Sequence, residues 1–213
     1  MFSSSGHLFA TVQAPSAPSS ITVEPVTEDE IIGTRPQLVN IESAEDFKAF
    51  LEEGQDDPEE RIAVLKFYAP WCKLCQRFGE QYKRIAREIG DLEEVALNDE
   101  TGEEEASVIR TGELRMGEVD YSANSELCKS LGVTKLPAVQ VYSSKGRLVD
   151  SMRCGPTKLP ALLDKLDMYL SMDPAEVDFE ADMFEGSRLG DNVLDALEKE
   201  IAASAAKKPL MGV

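Results

Sequence analysis

The stretch IAVLKFYAPWCKLC, residues 62–75, decides the fold. Its first seven residues, 62–68, are almost continuously apolar, which is typical of a parallel strand buried on both faces. A helix is predicted to follow and to end near Gly90. Large apolar side chains recur along it at helical intervals of four, three and four, at Phe78, Tyr82, Ile85 and Ile89. Two cysteines three residues apart therefore lie where the strand becomes the helix.

The chemistry of these two cysteines depends on the helix start. If Cys75 lies in the first turn, Cys72 lies at or near the N-cap, where unpaired amides and the positive end of the helix dipole favour a thiolate. A thiolate beside a second thiol is the minimum for thiol–disulfide exchange. A C-x-x-C pair is also compatible with half of a zinc site or with two unrelated core cysteines. Zinc is disfavoured, because Cys128 and Cys154 are separated by 25 intervening residues and the single histidine is His7. We predict a redox pair and no metal site.

Composition limits the other classes of function. The chain has 213 residues, enough for one domain with tails, and 42% of them are hydrophobic. No segment approaches the ~20 apolar residues of a membrane span, and we expect neither membrane insertion nor a secretory signal. The net charge of −18 argues against nucleic acid as a partner and is compatible with a basic protein. Four cysteines are too few for a disulfide scaffold, so a reducing compartment is expected.

The two ends of the chain differ in composition from its middle. Residues 1–36 are predicted to be a flexible N-terminal extension, since residues 1–23 contain no Asp, Glu, Lys or Arg and are rich in Ser, Ala, Pro and Thr. This segment is either a disordered tail or a transit-peptide remnant. Residues 171–213 form an acidic C-terminal extension with a predicted amphipathic helix at 192–206. That helix is expected to dock on the domain, with binding of an assembly partner as the alternative.

The middle of the chain, residues 37–170, is predicted to be one α/β domain. An acidic stretch at 91–112, with no basic residue before Arg110, indicates a solvated insertion or, alternatively, a substrate-steering surface. The remaining elements alternate as β-α-β-α-β-α-β-β-α, which predicts a mixed central β-sheet flanked by helices on both faces. The predicted strands cover 37–41, 62–68, 114–120, 136–142 and 147–152. The predicted helices cover 43–51, the stretch from the C-x-x-C to about 89, 125–131 and 159–170.

This arrangement resembles the thioredoxin family over about residues 37–170. The resemblance is carried by FYAPWCKLC at 67–75, GVTKLP at 132–137 and CGP at 154–156. It implies the thioredoxin fold and an activity without metal or organic cofactor. Cys72 would be the nucleophile and Cys75 the resolving thiol, so that the redox-active disulfide itself carries the electrons.

The same resemblance implies a substrate-binding face around the pair. Trp71 would shield the thiols and add an apolar docking surface. Pro137 resembles the family's cis-proline, and with Leu136 before it would place backbone against Cys72 for pairing with an extended substrate. Cys154 and Gly155 fall on the segment expected to border Cys72. Cys154 is interpreted as a small apolar filler or as a third redox residue.

Two lysines depart from the usual family pattern. Thioredoxins usually carry a buried aspartate six residues before the first cysteine, thought to serve proton transfer to the resolving thiol, and this chain has Lys66 there. Its ammonium either faces Cys75 and makes the pair more oxidising, or escapes to water along its packed stem. Lys73, inside the motif, would favour the Cys72 thiolate. In this respect the site is similar to atypical plant and algal plastid thioredoxins.

The resemblance therefore implies a thiol–disulfide oxidoreductase that reduces protein disulfides through the Cys72/Cys75 dithiol. Its expected partners are protein disulfide substrates and a separate electron-donating reductase. Two alternatives stay open: a thioredoxin-fold interaction subunit of a larger assembly without turnover, and a disulfide isomerase-like oxidant. The expected location is the plastid stroma or the cytoplasm.

Overall fold

The computed structural model describes residues 33–97 and 104–183, together with Ala202. The strands are β1 Thr34–Pro36, β2 Val39–Ile41, β3 Ala63–Tyr68, β4 Leu92–Leu97, β5 Glu104–Arg110, β6 Arg115–Asp120, β7 Ala138–Tyr142 and β8 Leu148–Arg153. The helices are α1 Ala44–Gln55, α2 Lys73–Ile89, α3 Ser125–Ser130, α4 Leu159–Leu170 and α5 Pro174–Met183, with a short 3-10 helix at Pro156–Lys158. From β2 to α4 the predicted alternation is confirmed, with β4 and β5 added between α2 and β6.

Five strands form the central sheet in the order β2-β6-β3-β7-β8. The strands β2, β6 and β3 run parallel, whereas β7 is antiparallel to β3 and β8 is antiparallel to β7. The predicted mixed sheet is therefore confirmed. A parallel pair needs a crossover, and the helices α1 and α2 supply it.

Helices cover both faces of the central sheet, and its central strand β3 presents buried apolar side chains to each face. On one side Leu65 and Phe67 of β3 pack in a cluster with residues of α1 and α3. On the other side Val64 packs with residues of α2 and α4. All three side chains are fully buried, and full burial of one such side chain contributes about 1.5–3 kcal/mol. The predicted two-layered helical cover is confirmed.

A second sheet includes most of the acidic stretch at residues 91–112, for which a solvated insertion is predicted. Here β1, β4 and β5 form an antiparallel sheet in the order β1-β4-β5. The run of acids conceals strand residues such as Leu92 and Val95, which lie between them in sequence. Arg35 of β1 donates to Glu93 of β4 at 2.5 Å, so the last residues of the predicted flexible extension belong to this sheet.

The second sheet is tied to the C-terminal end of α2. Arg110, the last residue of β5, donates through Nη2 to the main-chain oxygens of Arg87, Glu88 and Gly90 at 2.6, 3.2 and 3.1 Å. Carbonyl groups at a helix end lack intrahelical donors. The guanidinium therefore satisfies the carbonyls of Arg87 and Glu88 at the end of α2. The carbonyl of Ile89 instead accepts the amides of Glu113 and Leu114.

The segment after α4 continues into α5, a helix that is not predicted. Val177 of α5 is buried in the cluster beneath α2 and α4. Ion pairs of Lys145 with Asp178 and of Arg147 with Asp182 hold the helix against the turn between β7 and β8. Two acids of this stretch, Asp178 and Asp182, thus have structural partners. The predicted helix at 192–206 lies outside the described residues, apart from Ala202.

Candidate functional site

Four strand ends meet at one edge of the central sheet, and the candidate site lies there. Tyr68, the last residue of β3, pairs with Asp120, the last residue of β6. On the other side of β3, Phe67 pairs with Ala138, the first residue of β7. One residue beyond that pair, the amide of Cys154 donates to the carbonyl of Pro137 at 3.0 Å. The register therefore brings the predicted C-x-x-C, proline and CGP segments to a common edge.

Cys72 and Cys75 form a disulfide bond whose Cα atoms are 5.2 Å apart. Cys72 is the N-cap of α2, as predicted, and its Sγ accepts the amide N–H of Cys75 at 3.2 Å. Cys72 is half-buried, whereas Cys75 is only 3% exposed. Cys72 is therefore the more accessible of the two, and in the reduced form the helix N-terminus favours its thiolate.

An apolar surface flanks the disulfide. Trp71 is 72% exposed, and its indole Nε1 donates to Ser122 Oγ at 3.2 Å. The amide of Ser122 in turn donates to Asp120 Oδ1 at 2.7 Å. Leu74, inside the motif, is 46% exposed. The exposed tryptophan fits the predicted docking role, while Leu74 is an exposed apolar residue that the sequence did not single out.

The segment opposite the disulfide has the geometry expected from its sequence. The Leu136–Pro137 peptide bond is cis. Leu136 packs half-buried against the core, and Pro137 is buried. Gly155 begins the short 3-10 helix Pro156–Lys158 and is half-buried. A Cβ atom at Gly155 would have no other atom within 4 Å. The space beside Gly155 is therefore open to a ligand segment.

The side chain of Lys66 is buried, and its ammonium is paired. Its Nζ donates to Glu118 Oε2 at 2.5 Å, and its side chain is 5% exposed. The ammonium also lies over the rings of Tyr68 and Tyr82, 4.7 and 5.2 Å from their centroids. The predicted escape of the ammonium to water is therefore wrong. Glu118, directly opposite on the parallel strand β6, compensates the buried charge of Lys66. The ammonium therefore has no need to reach water.

The same ammonium lies close beneath α2. A Cβ built on Gly79 would be 3.8 Å from Lys66 Nζ. Gly79 follows Cys75 by four residues, so the two lie on one face of the helix, about 6 Å apart along its axis. The Lys66–Glu118 pair is thus within about one helical turn of the resolving cysteine. Its influence on that thiol stays a prediction.

Tyr82 borders this buried pair and is itself locked. Its hydroxyl donates to the carbonyls of Val64 and Gly117, at 2.8 and 3.0 Å. Burial, and then the negative charge of Glu118, raise the pKa of Tyr82 well above its ordinary value. The phenol therefore stays protonated near neutral pH and does not serve as a base.

The two remaining cysteines are buried, and burial disfavours their reactive thiolate forms. Cys154 is fully buried in the cluster with α2 and α4, and burial raises its pKa to about 11. Cys128 is fully buried on α3, and burial raises its pKa to about 12. Thiolates are the reactive form of cysteine. The geometry therefore favours the apolar-filler interpretation of Cys154 over a third redox residue.

Lys73 is the first residue of α2 and is exposed. It adjoins Cys72 in the chain, so its charge adds to that of the helix N-terminus. No group of three or more His, Cys, Asp or Glu side chains that could hold a metal ion occurs within the described ranges.

The fold and this cysteine site define a class, the thiol–disulfide oxidoreductases with a C-x-x-C pair at the start of a helix. The family model for thioredoxin matches residues 38–167, more than half of the chain. The chain therefore belongs to the thioredoxin family.

Individual relatives are distant. The DnaJ homolog subfamily C member 10 of Mus musculus is 30% identical over 79 residues, which are 37% of this chain and 7% of that protein. Thioredoxin-like 2, chloroplastic, of Oryza sativa subsp. japonica is 22% identical over 134 residues, 63% of this chain and 50% of that protein. A solved thioredoxin from Trypanosoma brucei brucei is 19% identical and aligns over 70% of this chain and 100% of its own, with a TM-score of 0.46. The chain thus spans at most half the length of these two curated relatives.

Proposed function

We propose that the reduced chain is a dithiol that reduces disulfide bonds in client proteins. The observation that carries this proposal is the difference in exposure between the paired cysteines: Cys72 is half-buried at a helix N-cap, and Cys75 is 3% exposed behind it. An accessible thiolate can begin an exchange with a client, and a buried neighbour can complete it without being captured by a second client.

The reaction has two steps. The Cys72 thiolate attacks one sulfur of a client disulfide, forming a mixed disulfide, while the other client sulfur leaves and takes up a proton. The Cys75 thiol then loses its proton and attacks Cys72 Sγ. This re-forms the Cys72–Cys75 disulfide and releases the second client thiol. Two electrons and two protons pass to the client, and a separate reductase returns them to the chain.

Residues around the pair would position the client. Trp71 and Leu74 offer exposed apolar surface, and Leu136 and Pro137 precede a strand at the same edge. A client segment in extended conformation would pair with the backbone there, as in other β-strand additions. Electrons are carried by the cysteine pair alone, so the proposal includes no metal or organic cofactor.

The direction of electron flow distinguishes this proposal from an isomerase-like oxidant. An ammonium beneath Cys75 favours the reduced form and a more oxidising pair, and Lys66 supplies one. Glu118 lies 2.5 Å from that ammonium and offsets its charge. Because the Lys66–Glu118 ion pair has no net charge, it favours a reductase over a strong oxidant. The chloroplastic relative suggests a plastid as the compartment.

The test combines a potential with an activity. The Cys72–Cys75 reduction potential is measured by equilibration with glutathione, and insulin disulfide reduction is followed with dithiothreitol as electron source. We expect a potential near about −270 mV and activity that is lost in Cys72→Ser. A Cys128→Ala variant, which keeps both site thiols, serves as the matched control and keeps its activity.

Other outcomes have definite meanings. A potential of about −180 mV or above would indicate an oxidant or isomerase. No turnover by a correctly folded wild-type chain that co-purifies in a complex would indicate an interaction subunit, and residues 171–213 would then be tested first for the partner.

A further inference from the structure

The loops around Cys72 carry an unusual distribution of charge for this protein. The whole chain has 40 acidic residues against 22 basic ones. Yet the three segments 68–79, 127–149 and 151–163 contain no Asp or Glu at all. These segments include the C-x-x-C loop, the cis-proline loop and the loop after β8. The active edge of the sheet is therefore basic within an acidic molecule.

Four of the exposed cations in these segments flank the site, and we refer to them as the basic rim: Lys73, Arg77, Lys135 and Lys158. Lys73 and Arg77 lie in the first two turns of α2. Lys135 directly precedes Leu136, and Lys158 ends the 3-10 helix that follows Gly155. The register of β3, β7 and β8 brings all three loops to one edge.

The rim cations are available, unlike the two cations of the turn between β7 and β8. Lys145 and Arg147, at the far end of β7 and β8, pair with acids of α5. None of the four rim residues makes an ion pair with any other residue that the structure describes. The amide of Lys158 donates to the carbonyl of Gly155 at 2.9 Å, which places Lys158 next to the CGP segment.

The basic rim covers only one side of the disulfide. On the β6 side, Asp120 accepts the amide of Ser122, the residue that holds the Trp71 indole. Glu126 of α3 is exposed on that same side. An extended segment lying along the cis-proline loop therefore meets positive charge, whereas one approaching over Trp71 meets negative charge.

From this arrangement we propose that the preferred clients carry acidic residues next to their target disulfide, which the basic rim binds. This inference rests on the proposed reductase function and names its substrate class. At physiological salt the Debye length is about 8 Å, so a bound client experiences the rim at contact distance more than the negative charge of the remote surface. Local complementarity then selects among clients and speeds productive encounters.

The experiment uses the pre-reduced full chain and three synthetic peptides. Each peptide contains the same disulfide loop, flanked by two Asp, two Asn or two Lys residues. Trp71 is the single tryptophan of the chain and adjoins Cys72, so its fluorescence follows oxidation in a single turnover. The neutral bis(2-hydroxyethyl) disulfide is measured in parallel as a probe of exchange itself.

We expect the acidic peptide to oxidise the wild-type chain roughly tenfold faster than the basic peptide at 0.15 M salt, with a ratio near one at 1 M. In the double variant Lys135→Glu/Lys158→Glu the ratio inverts. The milder Lys135→Gln/Lys158→Gln variant gives an intermediate ratio. The control Lys83→Glu/Arg84→Glu, which reverses two exposed charges farther along α2, keeps the wild-type ratio.

Two failures can be told apart. Equal rates for the three peptides, or the same ratio in the rim variant and the control, overturn the acidic-client inference alone. No oxidation by any peptide or by the neutral disulfide overturns the reductase function as well.

Discussion

The two edges of the central sheet use positive charge in opposite ways. At the active edge, Lys135 and Lys158 are exposed and make no ion pair with the residues that the structure describes. At the opposite edge, where β3 and β6 begin, Arg61 donates to Asp57 and Asp91 at 2.8 and 2.6 Å. Residues of one charge thus form a binding surface at one end of the strands and a structural network at the other.

Burial explains the difference. The Arg61 side chain is 13% exposed, and burial acts to lower its pKa, but hydrogen bonds to Asp57 and Asp91 outweigh this effect and raise the pKa. Arg115, stacked 4.6 Å from the Phe50 ring centroid, has its pKa lowered by burial, which Glu53 offsets only in part. Partly desolvated charges need partners, and exposed charges at the active edge do not.

The largest expected effect is on stability at the opposite edge. Arg61→Met leaves Asp57 and Asp91 without their cation, and removing one partner of a buried pair costs about 3 kcal/mol. The free energy of unfolding, measured in urea, is expected to fall by that amount. The matched Lys135→Met variant at the active edge should change it by less than about 0.5 kcal/mol. Equal losses in the two variants would contradict the division of roles between the edges.

The next effect concerns Cys154, which lies at the active edge yet is buried. Burial raises its pKa from 9.0 to about 11, so the unfolded thiol ionises first. Its stabilising contribution is complete below pH 9 and is lost as the pH rises toward 11. Cys154→Ala should therefore reduce the decline of unfolding free energy by about 1.4 kcal/mol per pH unit in that window. An unchanged slope would show that the thiol is solvated.

A smaller effect is expected from the pair beneath α2. Glu118→Gln leaves the Lys66 ammonium uncompensated near Cys75, which should stabilise the reduced form and raise the reduction potential by about 30 mV, equivalent to 1.4 kcal/mol. Lys66→Asp should shift the potential in the opposite direction by tens of millivolts. Glutathione equilibration measures both values. Identical potentials in the wild type and both variants would limit the role of this pair to packing.

The smallest expected effect is at Lys73. Its exposed ammonium adds modestly to the field at Cys72, and surface charges contribute about 0.2–1 kcal/mol. Lys73→Leu should slow alkylation of reduced Cys72 by iodoacetamide roughly twofold at pH 7, because the thiolate fraction falls. Arg84→Leu, on the same helix but away from its first turn, provides the comparison and should react like the wild type.

Local sequence was sufficient for the parts of the site that lie within single segments. The N-cap position of Cys72 and the element order from β2 to α4 follow from short motifs and their spacing, whereas the cis bond before Pro137 is implied by the resemblance to the thioredoxin family. The family assignment extends them to a fold. These features depend on neighbours in the chain, which a sequence shows directly.

The missed features depend on register and on surroundings. Glu118 is 52 residues from Lys66 in the chain, and only the parallel pairing of β3 with β6 brings their side chains together. The strands β4 and β5 were hidden by acids between their apolar residues. Leu74 is 46% exposed in the first turn of α2, and its residue type alone predicts burial instead.

Arg110 anchors the C-terminal end of α2, the helix that begins at the disulfide. The 17 residues of α2 span about 26 Å, with the disulfide at one end and the guanidinium clamp of the second sheet at the other. Arg110, at the end of β5, therefore lies about one helix length from the sulfur atoms. The protein can thus be attached to a surface near the C-terminal end of α2 while the disulfide at the N-terminal end still exchanges electrons.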